Sequence, residues 1–479
     1  MFGSIWQMAV TSEPVTLFAQ KLGASNFQFG LLTALPFIAS LMSVPGSLLV
    51  ELTGRRKGLF LTAFYIQRSM WVAIGLIPLW MISRSGWGIA PQSLSVFLWM
   101  VFAMYAIGAT GSPAWTCWMA DVVPARINGK YFSRRRQWGN LTAIPAAVLI
   151  GWFLDRISAG DDFSTLRWCA LLFIACALCG LGDIHLFQFV SAVSRQPKDG
   201  SRVLSSFQTP LKDQPFLRFS VYIGVLAFAN NLLGQFSTLY LLDQAGASNL
   251  STQLIVVVAP LVGQLMLLGV WGRAADRMGK KPLLAIASVG LIPMALGWCF
   301  VSPGRLWLGY LLSGLGAALW AAVEVSNLNL ILEASGRARK QAGGSSYVAT
   351  NTVIINVAGC LGGLAAGGIG QALANWHWQP PAGLRPTTFF DVLFVGSAVV
   401  RVGAVAALLP LLNEAGARSV RETLRFIGAA LLRPLWVLSK QPANLQLRSP
   451  QMPDNNFYNA QPKPTIHPLI TPDSRREAA

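Results

Sequence analysis

The chain has 479 residues, 53% hydrophobic and only 12% charged, with a mean hydropathy of +0.50 and a formal net charge of +18. A soluble protein of this size carries about twice that charged fraction, so the composition argues against a water-soluble fold and for an all-α integral membrane protein. A bilayer core about 30 Å thick is crossed by roughly 20 apolar helical residues.

Twelve spans are expected, at 2–20, 27–50, 58–83, 92–119, 137–155, 166–190, 217–242, 251–271, 282–301, 304–332, 345–373 and 389–412. Span 2–20 is interrupted by Gln7, Thr11, Ser12 and Glu13. No basic region precedes it and no cleavage site follows, so it reads as a retained first helix rather than a signal peptide. The second span ends in Glu51, with Gly54, Arg55 and Arg56 following; the third contains Arg68. The fourth carries Trp115 and Trp118, then Asp121-Val122-Val123-Pro124, Arg126 and Gly129. Arg134, Arg135 and Arg136 open the fifth, and Asp183 and His185 close the sixth. Cys176-x-x-Cys179 has the spacing of a metal or redox pair, but it is embedded in Ile, Ala and Leu, where cysteine behaves as a small hydrophobe. The three histidines are scattered, so neither a metal nor a cofactor is expected.

Residues 191–216 are polar and basic and form the expected central linker between 1–190 and 217–413. After 413, Arg418, Arg421, Arg425 and Arg433 alternate with Val420, Leu424, Ile427 and Leu431. That pattern suits an amphipathic helix on the inner membrane surface. From Gln441 the tail is rich in Pro, Asn and Gln and is expected to be disordered.

The positive charge alternates loop by loop. Even-numbered connections hold 20 basic residues and odd-numbered ones six. This is the positive-inside pattern, which places both termini in the cytoplasm; a nucleic-acid surface would not alternate in this way.

The halves repeat. Gly272-x-x-x-Asp276-Arg277-x-Gly279-Lys280-Lys281 follows span eight, and Ser47-x-x-x-Glu51-Leu52-x-Gly54-Arg55-Arg56 lies 225 positions earlier. Leu172-Phe173 matches Leu393-Phe394 at an offset of 221, Trp115 mirrors Trp320, and Asn140 mirrors Asn351. Twelve spans, a basic central loop, the 272–281 hinge and the 121–136 segment resemble the major facilitator superfamily (MFS). The first-half hinge departs from the pattern, with Ser47 for glycine, Glu51 for aspartate and Leu52 for arginine. The resemblance implies two pseudo-symmetric six-helix bundles. It also implies a cytoplasmic gate in which Asp276 faces the start of span five and Glu51 the start of span eleven. Arg134 and its neighbours are expected to pair with Asp276; a carboxylate is favoured opposite a helix N-terminus. Gly54 and Gly279 permit the tight turn, and Asp121 and Glu333 read as gate or capping residues.

In the family plan spans 1, 4, 7 and 10 line the cavity. Helical spacing puts Trp320, Glu324 and Asn327 on one face of span ten and Asn231, Gln235 and Thr238 on one face of span seven. Trp115 and Trp118 pair in span four; Gln7 and Glu13 lie on different faces of span one. Of these, Glu324 is the favoured coupling carboxylate, since ionisable groups within spans are expensive and usually functional. Arg68 and Arg401 lie in peripheral spans and read as structural. No Gly-x-x-x-x-Gly-Lys-Ser/Thr loop is present, which argues against direct use of ATP. The expectation is therefore a monomeric secondary transporter of a small solute in the cytoplasmic membrane, working by alternating access and coupled to protons. It is not an enzyme and has no nucleic-acid partner. The rival reading is a transporter-like sensor signalling through its tail.

Overall fold

A computed structural model describes residues 2–10, 13–84, 91–123, 128–158, 160–192, 208–338, 345–379, 386–412, 414 and 417–439. Thr11 and Ser12, Pro124 and Arg126 of the second motif, residues 193–207 of the expected linker and the tail from 440 lie outside them. By its contacts the chain divides into Met1–Ala430 and Leu431–Ala479; of the second unit only helical backbone to Ser439 is described.

The first unit is a bundle of helices. Its first six spans comprise α1 (Phe2–Val10), α2 (Glu13–Lys21), α3 (Asn26–Ser40), α4 (Ser43–Thr53), α5 (Arg56–Arg84), α6 (Pro91–Val122), α7 (Asn128–Ile157) and α8 (Asp162–Leu186). The second set comprises α9 (Gln214–Asn231), α10 (Gly234–Asp243), α11 (Asn249–Gln253), α12 (Ala259–Met278), α13 (Lys280–Gly297), α14 (Leu306–Ala338), α15 (Ser345–Ala372) and α16 (Phe389–Gly403). A π-turn, Leu254–Val258, joins α11 to α12, and α17 (Val420–Ser439) follows the last span. Among the described residues eleven helical stretches are long and apolar enough to cross a membrane. The first expected span is instead the pair α1 and α2, nine residues each.

Local chemistry sets the ends. Ser25 and Gln28 form a capping box at α3, and at α16 Asp391 accepts from the Thr388 N–H at 2.9 Å. Asp161, Asp213 and Ser248 accept from the third backbone N–H beyond them at α8, α9 and α11. Span two breaks between α3 and α4 because Pro45 has no N–H for the Leu41 carbonyl. Span seven breaks before Gly234, whose φ is +29°. The hinge turns use glycine for its geometry: Gly54 has φ +64° and Gly279 φ +101°, both left-handed.

Within the first set α5 packs on α6 and α8, and α4 on α6; within the second α14 packs on α12 and α13, and α9 on α15. The two sets meet where α3 crosses α15, α7 meets α11 and α2 meets α10. Phe18, Phe97, Phe173 and Trp71 fill the first core, ring against ring. Many large apolar side chains point outward, among them Met266 at 74% and Trp99 at 70% exposed. An outer apolar surface of that kind suits hydrocarbon, not water.

Candidate functional site

The polar residues that join the two sets gather at the end remote from the hinge loops. Thr16 Oγ1 donates to Gln235 Oε1 at 2.8 Å, and the Gln235 N–H, freed by the break in span seven, donates to Thr33 Oγ1 at 3.3 Å. Gln20 Nε2 donates to Asp243 Oδ1 at 2.8 Å, and Asn26 Nδ2 to the Gly370 carbonyl at 2.9 Å. Asp155, near the end of α7, accepts from the Asn249 N–H (2.6 Å), Asn249 Nδ2 (3.0 Å) and the Leu250 N–H (3.2 Å). It thereby satisfies the exposed amides that open span eight, across the set boundary.

Glu13 begins α2 beside this interlock. Its side chain is 1% exposed, and neither carboxylate oxygen has a hydrogen-bond partner among the described residues. Asp155 is the other carboxylate acting on it. An ionised carboxylate without donors is costly in an apolar interior, so this side chain needs a proton or a cation to balance it.

The hinge end is organised differently from the expectation. Arg56 pairs with Asp121, and Lys57 Nζ donates to the Gln188 and Val190 carbonyls at 2.7 Å each. In the second set Lys280 Nζ pairs with Glu333 at 2.9 Å. These equivalent pairs each stay within one set, so they brace a half instead of latching two. Asp276 is exposed and Glu51 half-exposed, and neither has a hydrogen bond or ion pair among the described residues. Arg55, Arg134 and Arg277 are exposed as well; Arg277 lies 5.9 Å from the Phe426 ring of α17. Among the described residues no contact joins Asp276 to span five or Glu51 to span eleven.

The carboxylate that does serve as a cap here is Glu414, which sequence reasoning missed. It accepts from the Lys280 N–H at 2.9 Å and the Lys281 N–H at 2.6 Å, at the start of α13. Glu414→Ala is expected to lower stability by about 1–2 kcal/mol, the usual worth of such a cap. Thermal unfolding in detergent measures it, and an unchanged midpoint would show that the cap contributes nothing.

The remaining expected residues separate. Glu324 is exposed on α14, where Trp320 on its own helix and Arg136 from α7 act on its carboxylate. Asn327 Oδ1 accepts from Asn351 at 3.3 Å, and Asn231 Nδ2 donates to its own helix at Ala227. Thr238 is buried and Gln7 exposed. Trp115 lies under Arg135, 4.6 Å from ring to guanidinium. Trp118 is fully buried against Phe60 and Phe187, and its indole N–H donates to the Ser191 carbonyl. Trp320 borders a cavity of about 280 Å³ in the second set. Arg68 stacks on Trp6 at 3.3 Å and donates to Gln67, as a structural arginine would.

Two sets of membrane-crossing helices, joined by polar contacts at one end, define a multi-pass membrane protein. The family model of the Major Facilitator Superfamily matches residues 1–367, and the chain belongs to that superfamily of secondary transporters, whose members carry small-molecule substrates and are not enzymes. Solved structures of the same fold include a bacterial homologue of the iron transporter ferroportin (TM-score 0.62, 13% identity, 86% of this chain and 96% of that one). The nucleoside transporter NupG (0.61, 14%, 86% and 97%) and a D-xylose-proton symporter (0.58, 16%, 87% and 97%) are others. At these identities the likeness concerns the fold alone. Puromycin resistance protein pur8 of Streptomyces alboniger is 30% identical over 135 residues, 28% of this chain. The match spans about a quarter of that relative's length.

Proposed function

We propose that the chain carries a small solute across the cytoplasmic membrane by alternating access, driven by protons bound at Glu13. The observation that carries the reading is the asymmetry of the two ends. Hydrogen bonds donated by Thr16, Gln20 and Asn26 and accepted by Asp155 tie the sets together at one end, while at the other Asp276, Glu51 and Arg134 make no contact across the boundary among the described residues. The positive-inside pattern puts the basic loops in the cytoplasm, so this arrangement corresponds to an inward-open state. In the opposite state Asp276 and Glu51 would engage the helix starts across from them, and the outer interlock would part. Glu13 sits beside that interlock, so its surroundings change when the outer end opens. A group that is enclosed in one state and wetted in the other takes up and releases a proton as part of the cycle. Glu324, exposed on α14 with Arg136 acting on its carboxylate, is the second candidate for the coupling group.

The test starts from a ligand. Thermal-shift screening of the purified protein against sugars, nucleosides, peptides, organic acids and hydrophobic drugs, puromycin included, identifies a solute. A ligand at 100 times its dissociation constant stabilises by about 2.7 kcal/mol. In proteoliposomes Glu13→Gln is then expected to abolish uphill accumulation of that solute while sparing exchange. Accumulation at the wild-type level would remove Glu13 from the coupling step.

A further inference from the structure

Arg401 is 3% exposed in the middle of the last span. It lies twelve residues beyond Phe389 and ten before Leu411, so ~15 Å of helix separates it from either end. The guanidinium is charged at any accessible pH and carries five N–H donors. Nη1 donates to Ser397 Oγ at 2.8 Å and Nη2 to Asn230 Oδ1 at 3.3 Å, while Nε has no partner. No carboxylate pairs with it among the described residues, in contrast to Arg56 and Lys280. The sequence reads Arg401 as structural, and the partners it meets among the described residues, Ser397 and Asn230, are neutral.

The same side chain borders the 280 Å³ cavity, which Asn230, Gln264, Ser313, Trp298 and Trp320 also line. The wall contains two amide side chains, the hydroxyls of Ser237 and Ser313 and aromatic rings but no acid. A buried charge is tolerated only when paired, and here the cavity is the place for its counterion. We propose that Arg401 and this cavity hold an anionic group, either the carboxylate of the transported solute or a small inorganic anion. A lipid phosphate does not reach the midplane from the interface. Arg401 presents unfilled donors to the anion, and Asn230 and Ser313 supply neutral hydrogen bonds. This deepens the transport reading, resting on it only for what the anion belongs to; the binding itself is measured without flux.

The experiment is an anion titration of the full-length protein in detergent, followed by thermal unfolding. Sodium chloride, phosphate, acetate and benzoate are compared at matched sodium concentration. Three variants run beside the wild type. Arg401→Gln removes the charge and Arg401→Lys keeps it without the planar fork. Gly316→Val projects a side chain from the cavity wall, where an added Cβ meets no atom within 4 Å, and leaves Arg401 and its two bonds in place. The expected result is an anion-specific rise in the unfolding midpoint of the wild type, with affinity weakened about tenfold in Arg401→Lys and about a hundredfold in Arg401→Gln. Gly316→Val should lose it too, so the test survives if Arg401→Gln fails to fold. A response to acetate or benzoate alone assigns the site to the solute's own carboxylate; a response to chloride or phosphate assigns it to an inorganic ion. A wild type indifferent to every anion, or variants that respond as the wild type does, would overturn the proposal. Either result leaves the transport reading standing, and that reading fails only if the reconstituted protein moves no solute.

Discussion

Gly30→Val is expected to abolish transport by preventing closure of the end at which α3 crosses α15. A Cβ built on Gly30 would collide with the Gly367 backbone and lie 2.6 Å from the Gly363 carbonyl oxygen. The reciprocal contacts are as tight: a Cβ on Gly367 would meet Gly30 Cα at 2.9 Å and the Phe27 carbonyl at 3.0 Å. These are backbone atoms, so no rotamer change can make room. Small residues let two membrane helices approach closely, and van der Waals packing then holds them. A branched side chain must push the helices apart, at a cost of order 3 kcal/mol or more for an overpacked contact. The closed state is read by cross-linking Gln20→Cys to Asp243→Cys with a short bifunctional thiol reagent, since the tips of the longer native side chains meet there at 2.8 Å. Gly30→Val should reduce that cross-link at least tenfold and stop flux. Wild-type flux in this variant would remove the α3–α15 contact from the cycle.

The second large effect is expected at Asp155. Its carboxylate receives three hydrogen bonds from Asn249 and Leu250 and caps the start of span eight from span five. Hydrogen bonds to a charged group are worth about 1.5–3 kcal/mol each, and the favourable field of a helix N-terminus adds to them. Asp155 is only half-buried, so solvent takes part of this back, and Asp155→Ala is expected to shift the balance between end states by about 3 kcal/mol, roughly a hundredfold. The same cross-link reports it, and Asp155→Asn should fall between, because the amide has one acceptor oxygen in place of two. An unchanged cross-link in Asp155→Ala would show that this cap does not bias the cycle.

The two predictions share a feature that bears on how such a protein is read. Asp155 looks in sequence like a charge ending a span, and Gly30 like one of 45 glycines. Their partners lie 94 and more than 300 residues away, beyond the reach of any periodicity. The same holds for Glu414, whose partners are 133 and 134 positions distant. Arg56 and Asp121 were named as gate residues from their motifs, and the structure joins them, but within one set and not across the boundary.

Helical spacing placed Trp320, Glu324 and Asn327 on one face of α14, yet it does not say how far a face turns from the bundle axis. In the structure Trp320 borders the cavity, Asn327 meets Asn351, and Glu324 is exposed. Trp118 shows the same limit, since its indole packs into the first-set core instead of pairing with Trp115 along a cavity.

By itself the sequence determined the membrane class, the positions of eleven of the twelve expected spans, the duplicated hinges and the family. Each of these follows from local composition or from a motif that recurs along one chain: burial in hydrocarbon demands apolar runs of fixed length, and a tight turn demands glycine. Tertiary structure alone decided which end is interlocked, that Glu13 is enclosed without a donor, and that Arg401 has a cavity where a counterion would be. Those are matters of how helices distant in sequence are rotated and set against each other, and a buried charge shows whether it is paired only when its whole surroundings are in view.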